Sequence, residues 1–176
     1  MKQMTAKSWF MVVVLIAAGV ITRWVPHAPN FSALLAVALF AGYMFSGPVA
    51  LAVPLISAFA GDLFLGFHDL MAVVYLSLLA LVAIGRWLPK LDRRVQTWFG
   101  WVLSGLLGSI LFFIATNLAV WWTSGMYPHT QEGLTTCFVL AIPFFHNSVI
   151  STWLFLGAFE SVRRLIPAPA EQRVQA

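Results

Sequence analysis

Three short polar segments interrupt a chain that is otherwise rich in apolar residues. They are residues 23–31 (RWVPHAPNF), 61–69 (GDLFLGFHD) and 117–133 (NLAVWWTSGMYPHTQEG), and they hold three of the four histidines and three of the six acidic residues. Imidazole, amide, carboxylate and phenol groups bind small polar molecules through directed hydrogen bonds. Together with two polar residues of the last apolar run, the candidate ligand-binding residues are His27, Asn30, Asp62, His68, Asn117, Trp121, Tyr127, His129, His146 and Asn147.

Polar groups at membrane depth are costly, and they usually face a cavity or a partner. Asp62, Asn117 and His146 lie within or at the ends of apolar runs, so we expect them to converge on one cavity. Tryptophans beside them can wall a pocket for a flat ligand. The segment 126–133 (MYPHTQEG) then reads as a lid over the pocket, with Gly125 and Gly133 as hinges.

Structural alternatives exist for most of these residues. The tryptophans can form the interfacial belt common to membrane proteins. Asp62 can pair with Arg23 in a purely structural bridge, and His146 with Asn147 can hydrogen-bond between helices. His27 and His129 can be solvated loop residues, and Cys137 can be a small buried apolar residue.

Motifs for several other functions are missing from the sequence. It has no Walker A motif for ATP, no HExxH motif and no cysteine–histidine cluster for a metal. The single cysteine excludes an internal disulfide. We therefore predict no catalytic residue, no metal ligand and no cofactor, so the protein is not expected to be an enzyme. The basic residues sit beside apolar runs, which argues against a nucleic-acid partner.

The composition predicts an all-α integral membrane protein. Hydrophobic residues make up 61% of the chain and charged residues only 9%, whereas a soluble domain carries roughly 25% charged residues. A membrane-crossing helix needs about 20 apolar residues. Six candidate spans form one transmembrane domain over residues 1–166, and residues 167–176 are predicted to be a disordered cytoplasmic tail. The spans are about 8–25, 31–46, 48–66, 69–88, 98–122 and 133–166, and the first is expected to be a retained helix rather than a signal peptide.

The distribution of lysine and arginine predicts the orientation. With six spans, nine of the ten basic residues fall on the side of the termini, and Arg23 alone falls on the other. The nine are Lys2, Lys7, Arg86, Lys90, Arg93, Arg94, Arg163, Arg164 and Arg173. Both termini are therefore predicted to be cytoplasmic, and the three polar segments to face outward.

Five motifs together resemble a family of uncharacterised bacterial six-span membrane proteins: VPHAPNFSALLAVALFAG, GDLFLGFHD, NLAVWW, MYPHTQEGL and AIPFFHN. That family in turn looks similar to the substrate-binding S components of energy-coupling factor (ECF) vitamin transporters. The resemblance, over about residues 20–160, implies a six-helix bundle in the bacterial cytoplasmic membrane that binds a vitamin or related micronutrient. It also implies an energising module of a membrane subunit plus ATPases. The AxxxA docking pattern of such subunits is missing from the first span, because the residue four positions after Ala17 is Ile21 rather than alanine.

Three functions are open from the sequence. The first is a micronutrient-binding membrane subunit with an outward-facing pocket. The second is a structural membrane scaffold without a small-molecule site, and the third is a solitary permease for a solute or metal ion. A scaffold needs no polar cavity, and a solitary permease needs a polar path across the membrane, so the position and extent of any cavity separate the three.

Overall fold

Six α-helices make up the fold. The computed structural model describes residues 4–87 and 98–166, and within these ranges it contains no β-strand. The helices are α1 (Ala6–Trp24), α2 (Leu34–Met44), α3 (Pro48–Leu65), α4 (Met71–Gly85), α5 (Trp98–Thr123) and α6 (Gln131–Leu165). The all-helical architecture predicted from the apolar runs is confirmed. The predicted tail at 167–176 and the basic link at 88–97 lie outside the described residues.

Four of the six helices, α1, α3, α5 and α6, are long and apolar enough to cross a membrane. The other two are shorter than predicted: α2 has 11 residues and α4 has 15. At 1.5 Å per residue they extend only about 16 and 22 Å, against a hydrocarbon thickness of about 30 Å. The predicted spans at 31–46 and 69–88 thus each contain a helix, but the helix is shorter than the span, and the first residues of each span belong to the preceding link.

Local signals set several helix ends. Thr5 and Thr130 precede α1 and α6, and their hydroxyls accept hydrogen bonds from the amides of Ser8 and Gly133. These are N-cap interactions, which satisfy amides that have no partner within the helix. Pro48 opens α3, where its missing N–H costs nothing. α6 continues through Pro143 without a break.

The short helix α2 lies at the centre of the bundle. Nine of its eleven residues are buried, from Leu34 through Gly42, and it contacts each of the other five described helices. A helix that is apolar all round and surrounded by protein does not need to match the membrane thickness, because its neighbours rather than lipid cover it. Large apolar side chains are instead exposed on the surrounding helices, for example Phe64, Leu76, Trp98 and Leu154.

Two glycines bring α2 and α4 into backbone contact. A Cβ on Gly42 would overlap the carbonyl oxygen of Val82, and a Cβ on Gly85 would overlap the carbonyl oxygen of Leu39. Small residues at such positions let helix backbones approach closely. The crossing of α2 and α4 therefore depends on both glycines.

The end of the bundle where α1 begins and α6 ends is filled by aromatic side chains. The Phe40 ring stacks on Trp101 with centroids 5.3 Å apart and meets Phe159 at 5.7 Å, while Tyr43 meets Trp101 at 4.9 Å. We call these four residues the aromatic core cluster. At the same end, the Lys7 ammonium donates a hydrogen bond of 2.6 Å to the Ile166 carbonyl. The start of α1 is thereby joined to the end of α6.

Candidate functional site

A cavity of about 510 Å³ lies at the end of the bundle where α1 ends and α6 begins. Its walls come from five helices (α1, α2, α4, α5 and α6), from Leu65 of α3 and from the three links that follow α1, α3 and α5. The polar segments at 23–31, 61–69 and 117–133 thus reach one cavity, as their positions in the sequence predict. Binding sites for small molecules commonly have volumes of about 300–1,000 Å³.

Five of the ten candidate residues line this cavity: His27, Asn30, His68, Asn117 and Tyr127. Asn117 lies on α5, where its Nδ2 donates to the Phe113 carbonyl at 2.8 Å. Its side-chain oxygen therefore stays available as an acceptor. His27, Asn30 and His68 come from links, and Tyr127 comes from the proposed lid segment. The structure thus brings together polar residues separated by up to a hundred positions in the sequence.

Asp62 lies behind the cavity wall rather than on it. Its side chain is 2% exposed, and its Oδ1 accepts a hydrogen bond of 2.5 Å from Nη2 of Arg23, whose side chain is 15% exposed and does line the cavity. Arg23 also donates from Nη1 to the Ala58 carbonyl at 2.7 Å, and Tyr75 donates to Asp62 Oδ2 at 2.7 Å. The structural bridge between Asp62 and Arg23 is therefore present, and it fixes the guanidinium of a cavity-lining residue against α3.

Gly61 makes room for this arrangement. A Cβ on Gly61 would overlap the Nη1 atom of Arg23. The absence of a side chain on α3 thus lets the guanidinium lie against the helix beside Asp62. Glycine serves here to allow a close approach rather than an unusual backbone angle.

Trp121 and His129 fix the link between α5 and α6 without lining the cavity. Trp121 Nε1 donates to the Pro128 carbonyl at 3.0 Å, and the His129 ring stacks on Trp122 with centroids 5.1 Å apart. Gly133 lies in the first turn of α6, where a Cβ would overlap the Pro128 carbonyl. It is a packing position, not the hinge expected from the sequence, whereas Gly125 has a φ of 68° in the link.

His146 and Asn147 also stay outside the cavity lining. His146 is on the exposed face of α6, with the Phe145 ring 6.3 Å away. Asn147 donates from Nδ2 to the Pro29 carbonyl at 2.9 Å, which ties α6 to the link between α1 and α2. The expected convergence of Asp62, Asn117 and His146 on one cavity is therefore not what the structure shows, since Asn117 alone of the three lines it.

Several cavity residues carried no clear signal in the sequence. Thr116, Cys137 and Ser148 contribute polar atoms to the walls, and Tyr75 holds Asp62 from behind. Cys137 is buried and its thiol lies 3.5 Å from the Asn117 carbonyl. Tyr75 is the one signal available in retrospect, because it is the only hydrogen-bonding aromatic in the apolar run 69–88 apart from Trp87 at its end. In residues 4–87 and 98–166, no group of three or more His, Cys, Asp or Glu side chains is placed to hold a metal ion.

Comparison with known families covers almost the whole chain. A sequence model described as a family of unknown function, DUF6580, matches residues 3–173. The chain belongs to the DUF6580 family. No curated protein and no solved structure matches it. Membership of an uncharacterised family is thus confirmed, and the DUF6580 description specifies no ligand or reaction.

Asn30 lies in the link between α1 and α2, and substitutions there test whether its backbone conformation or its side-chain amide stabilises this part of the cavity wall. Its φ is 62°, the only positive φ of a non-glycine residue in the described part of the chain. We expect Asn30→Ala to lower the free energy of unfolding by about 1–2 kcal/mol, because alanine resists this left-handed conformation. Asn30→Gly keeps the conformation and removes the same amide, so it should stay within about 0.5 kcal/mol of the wild type. Melting curves of the two purified variants make the comparison. Equal losses would show that the amide, not the backbone angle, stabilises the link.

Proposed function

We propose that this protein is a membrane-embedded binding subunit that captures a vitamin or related micronutrient in the cavity. The observation that carries the proposal is the cavity itself, about 510 Å³ in volume and walled by all three polar segments. Its lining combines aliphatic and aromatic side chains with a few polar groups such as Asn30, Asn117 and Tyr127. That mixture is typical of sites that bury a small organic molecule and orient it by hydrogen bonds.

The closed end of the bundle supports binding over unassisted permeation. None of the four residues of the aromatic core cluster lines the cavity, and three of them, Phe40, Trp101 and Phe159, are at most 7% exposed. A ligand in the cavity therefore meets packed rings on the way toward the termini. Since the sequence has no nucleotide-binding motif, we further propose a partner that moves the ligand onward: an energising module of a membrane subunit plus ATPases, as in ECF transporters.

The proposed setting is the bacterial cytoplasmic membrane, with both termini in the cytoplasm. Four helices have the length and apolar character to span it, and α2 and α4 complete the bundle between them. The excess of basic residues on the side of the termini supports this orientation. The cavity would then open outward, and Met126 and Tyr127 of the segment 126–133 line it.

Filling the cavity tests the proposal. Ala141 lines the cavity on α6, whereas Val139 on the same helix does not and is exposed. The wild-type protein is expected to gain thermal stability with at least one member of a panel of vitamins and their precursors, and native mass spectrometry should show the bound molecule. Ala141→Trp should weaken that binding by roughly 100-fold or more, about 2.7 kcal/mol, because the indole occupies ligand space. Val139→Trp should leave it unchanged.

Other results would favour the other functions. A protein that binds nothing in the panel, and from which no small molecule can be extracted after gentle purification, would support a structural scaffold. Concentrative uptake by this chain alone in proteoliposomes would support a solitary permease. Equal weakening by Ala141→Trp and Val139→Trp would place the ligand outside the cavity.

A further inference from the structure

We propose that the ligand is an anion, a small carboxylate-bearing molecule whose head group binds Arg23 at the wall formed by α1, α3 and α4. This inference rests on the proposed function and narrows it to a chemical class. The charges and hydrogen-bond donors of the residues that line the cavity support it.

The charged groups that line the cavity are of one sign. Among the described residues that line it, Arg23 is the only permanently charged one, and His27 and His68 are the only other basic ones. No aspartate or glutamate is among the residues that line it within the described ranges. Asp62 contacts the lining residue Arg23, but both of its oxygens already accept hydrogen bonds, Oδ1 from Arg23 and Oδ2 from Tyr75. A cationic ligand would therefore find no free carboxylate on these walls, whereas an anionic ligand meets a guanidinium.

The guanidinium keeps donors for a ligand. Arginine has five N–H donors in a fixed fork, and in the described part of the chain Arg23 uses one toward Ala58 and one toward Asp62. Three donors remain on a side chain whose position is already held by Asp62 and by the space at Gly61. Carboxylates bind such a fork in a bidentate manner. Asp62 thus acts as a positioning residue that orients Arg23 without touching the ligand.

Two helix N-termini add to the positive potential. The N-cap residues of α2 and α4 supply no side-chain acceptor, and the first amide of each helix donates outside the helix, Leu34 to Ser32 Oγ at 3.5 Å and Met71 to the His68 carbonyl at 3.1 Å. Residues at these helix starts line the cavity: Leu34, Leu35 and Leu70. The first amides of a helix have no partner within it, and the helix dipole makes this end partly positive. Both features favour an anion at the same end of the bundle as Arg23.

The opposite wall indicates the rest of the ligand. α5 and α6 contribute Phe112, Leu140 and Phe144, which suit an apolar or aromatic body, and Asn117 offers its side-chain oxygen as an acceptor. The chemistry that fits both walls is a monocarboxylate with an apolar middle and a hydrogen-bond donor away from the carboxylate. Such a molecule would pair its charge with Arg23 and its donor with Asn117.

The single cysteine permits a test that needs no ligand. Cys137 lines the cavity, so its modification rate by charged methanethiosulfonates reports the local potential. We would compare the anionic 2-sulfonatoethyl reagent with the cationic 2-(trimethylammonio)ethyl reagent on the full-length protein in detergent, each rate being divided by its rate with free cysteine. For the wild-type protein, the normalised rate with the anionic reagent is expected to be about ten times the normalised rate with the cationic reagent, which is an anion-to-cation ratio of about ten. The reason is that a guanidinium in a low-dielectric cavity attracts anions and repels cations.

Two variants separate this electrostatic role from a structural one. Arg23→Gln with Asp62→Asn removes both charges and keeps a hydrogen-bonding pair, and the ratio should fall about tenfold toward that of free cysteine. Asp62→Asn alone leaves the guanidinium unbalanced and should raise the ratio. A purely structural pair would lower the melting temperature in both variants and leave the ratio unchanged. Cys137→Ala is the control that assigns the reaction to the cavity.

The outcomes distinguish the two proposals. A wild-type ratio at or below one, or a ratio that does not respond to the paired substitution, would overturn the anionic ligand and leave the cavity and the binding function standing. Failure of both reagents to reach Cys137, together with a panel that yields no binder, would overturn the proposed function itself. If a binder is found, replacing its carboxylate by the primary amide should weaken it at least about tenfold, and equal binding of acid and amide would contradict the inference.

Discussion

Asp62→Ala is expected to lower the free energy of unfolding by about 3–5 kcal/mol, the usual cost of removing one partner of a buried ion pair. The substitution takes an acceptor from Arg23 and another from Tyr75, whose hydroxyl donates to the same carboxylate. Arg23 then keeps its charge at a site where only 15% of its side chain is exposed. We expect a drop in apparent melting temperature of roughly 10 °C in detergent, followed through the intrinsic fluorescence of the tryptophans.

The matched variants identify the cause of that loss. Asp62→Asn keeps an acceptor for one donor and should be less destabilising than alanine. Arg23→Met with Asp62→Leu removes both charges and should recover much of the stability, because replacing a whole buried pair by apolar groups is often neutral or better. If Asp62→Ala melted like the wild type while ligand binding was lost, Asp62 would contact the ligand directly, as the sequence alone suggested.

The contact between Arg23 and Asp62 shows what a sequence can and cannot provide. The pair spans 39 positions, and the sequence offered it as an alternative because Arg23 is the one lysine or arginine in the three polar segments. In retrospect the hydroxyl of Tyr75 in an apolar run is a signal, but nothing in the sequence linked Tyr75 to this pair or marked Gly61 as the space that the guanidinium occupies. Those contacts depend on the angles at which α1, α3 and α4 pack, which the residue pattern does not specify.

The helices themselves were largely predictable because long apolar runs separated by polar segments leave few alternatives. Their lengths were less so. The apolar run at 31–46 contains only 11 helical residues in α2, since Phe31 and Ser32 belong to the link, and Phe45 is already extended as the C-cap. A run of apolar residues indicates that a segment is shielded from water. It does not show whether lipid or protein covers that segment, so a short helix buried in protein and a membrane-spanning helix give the same signal.

The site residues were predictable by position along the chain but not by direction around a helix. The cavity is lined by His27, Asn30, His68, Asn117 and Tyr127, whereas His146, about four turns into α6, is exposed on another face. A helix that is apolar on every side carries no periodic signal to show which face meets the bundle. Residues in links were therefore placed better than residues inside the last helix.

Gly42→Ala and Gly85→Ala are expected to disrupt the contact between α2 and α4 strongly, although each adds only one methyl group. At each position the new Cβ would overlap a backbone carbonyl, of Val82 or of Leu39, and a backbone atom cannot swing away as a side chain can. Overpacking costs about 1–3 kcal/mol and occasionally more, and we expect the upper part of that range. Valine at either position should prevent recovery of folded, monodisperse protein on size-exclusion chromatography.

Gly157→Ala on α6 is the control for these glycine substitutions, because its Cβ would meet only Trp98, at an ordinary 3.7 Å. Alanine also favours a helix over glycine by up to about 1 kcal/mol, so this variant should melt at or above the wild-type temperature. The α2–α4 crossing further bears on function, since Leu34 and Leu35 of α2 and Val74 of α4 share the cavity wall. If Gly42→Ala can be purified, its ligand affinity should fall together with its melting temperature. A Gly42→Ala protein that matches Gly157→Ala in both measurements would mean that α2 and α4 can separate at no cost, and that their contact does not shape the cavity.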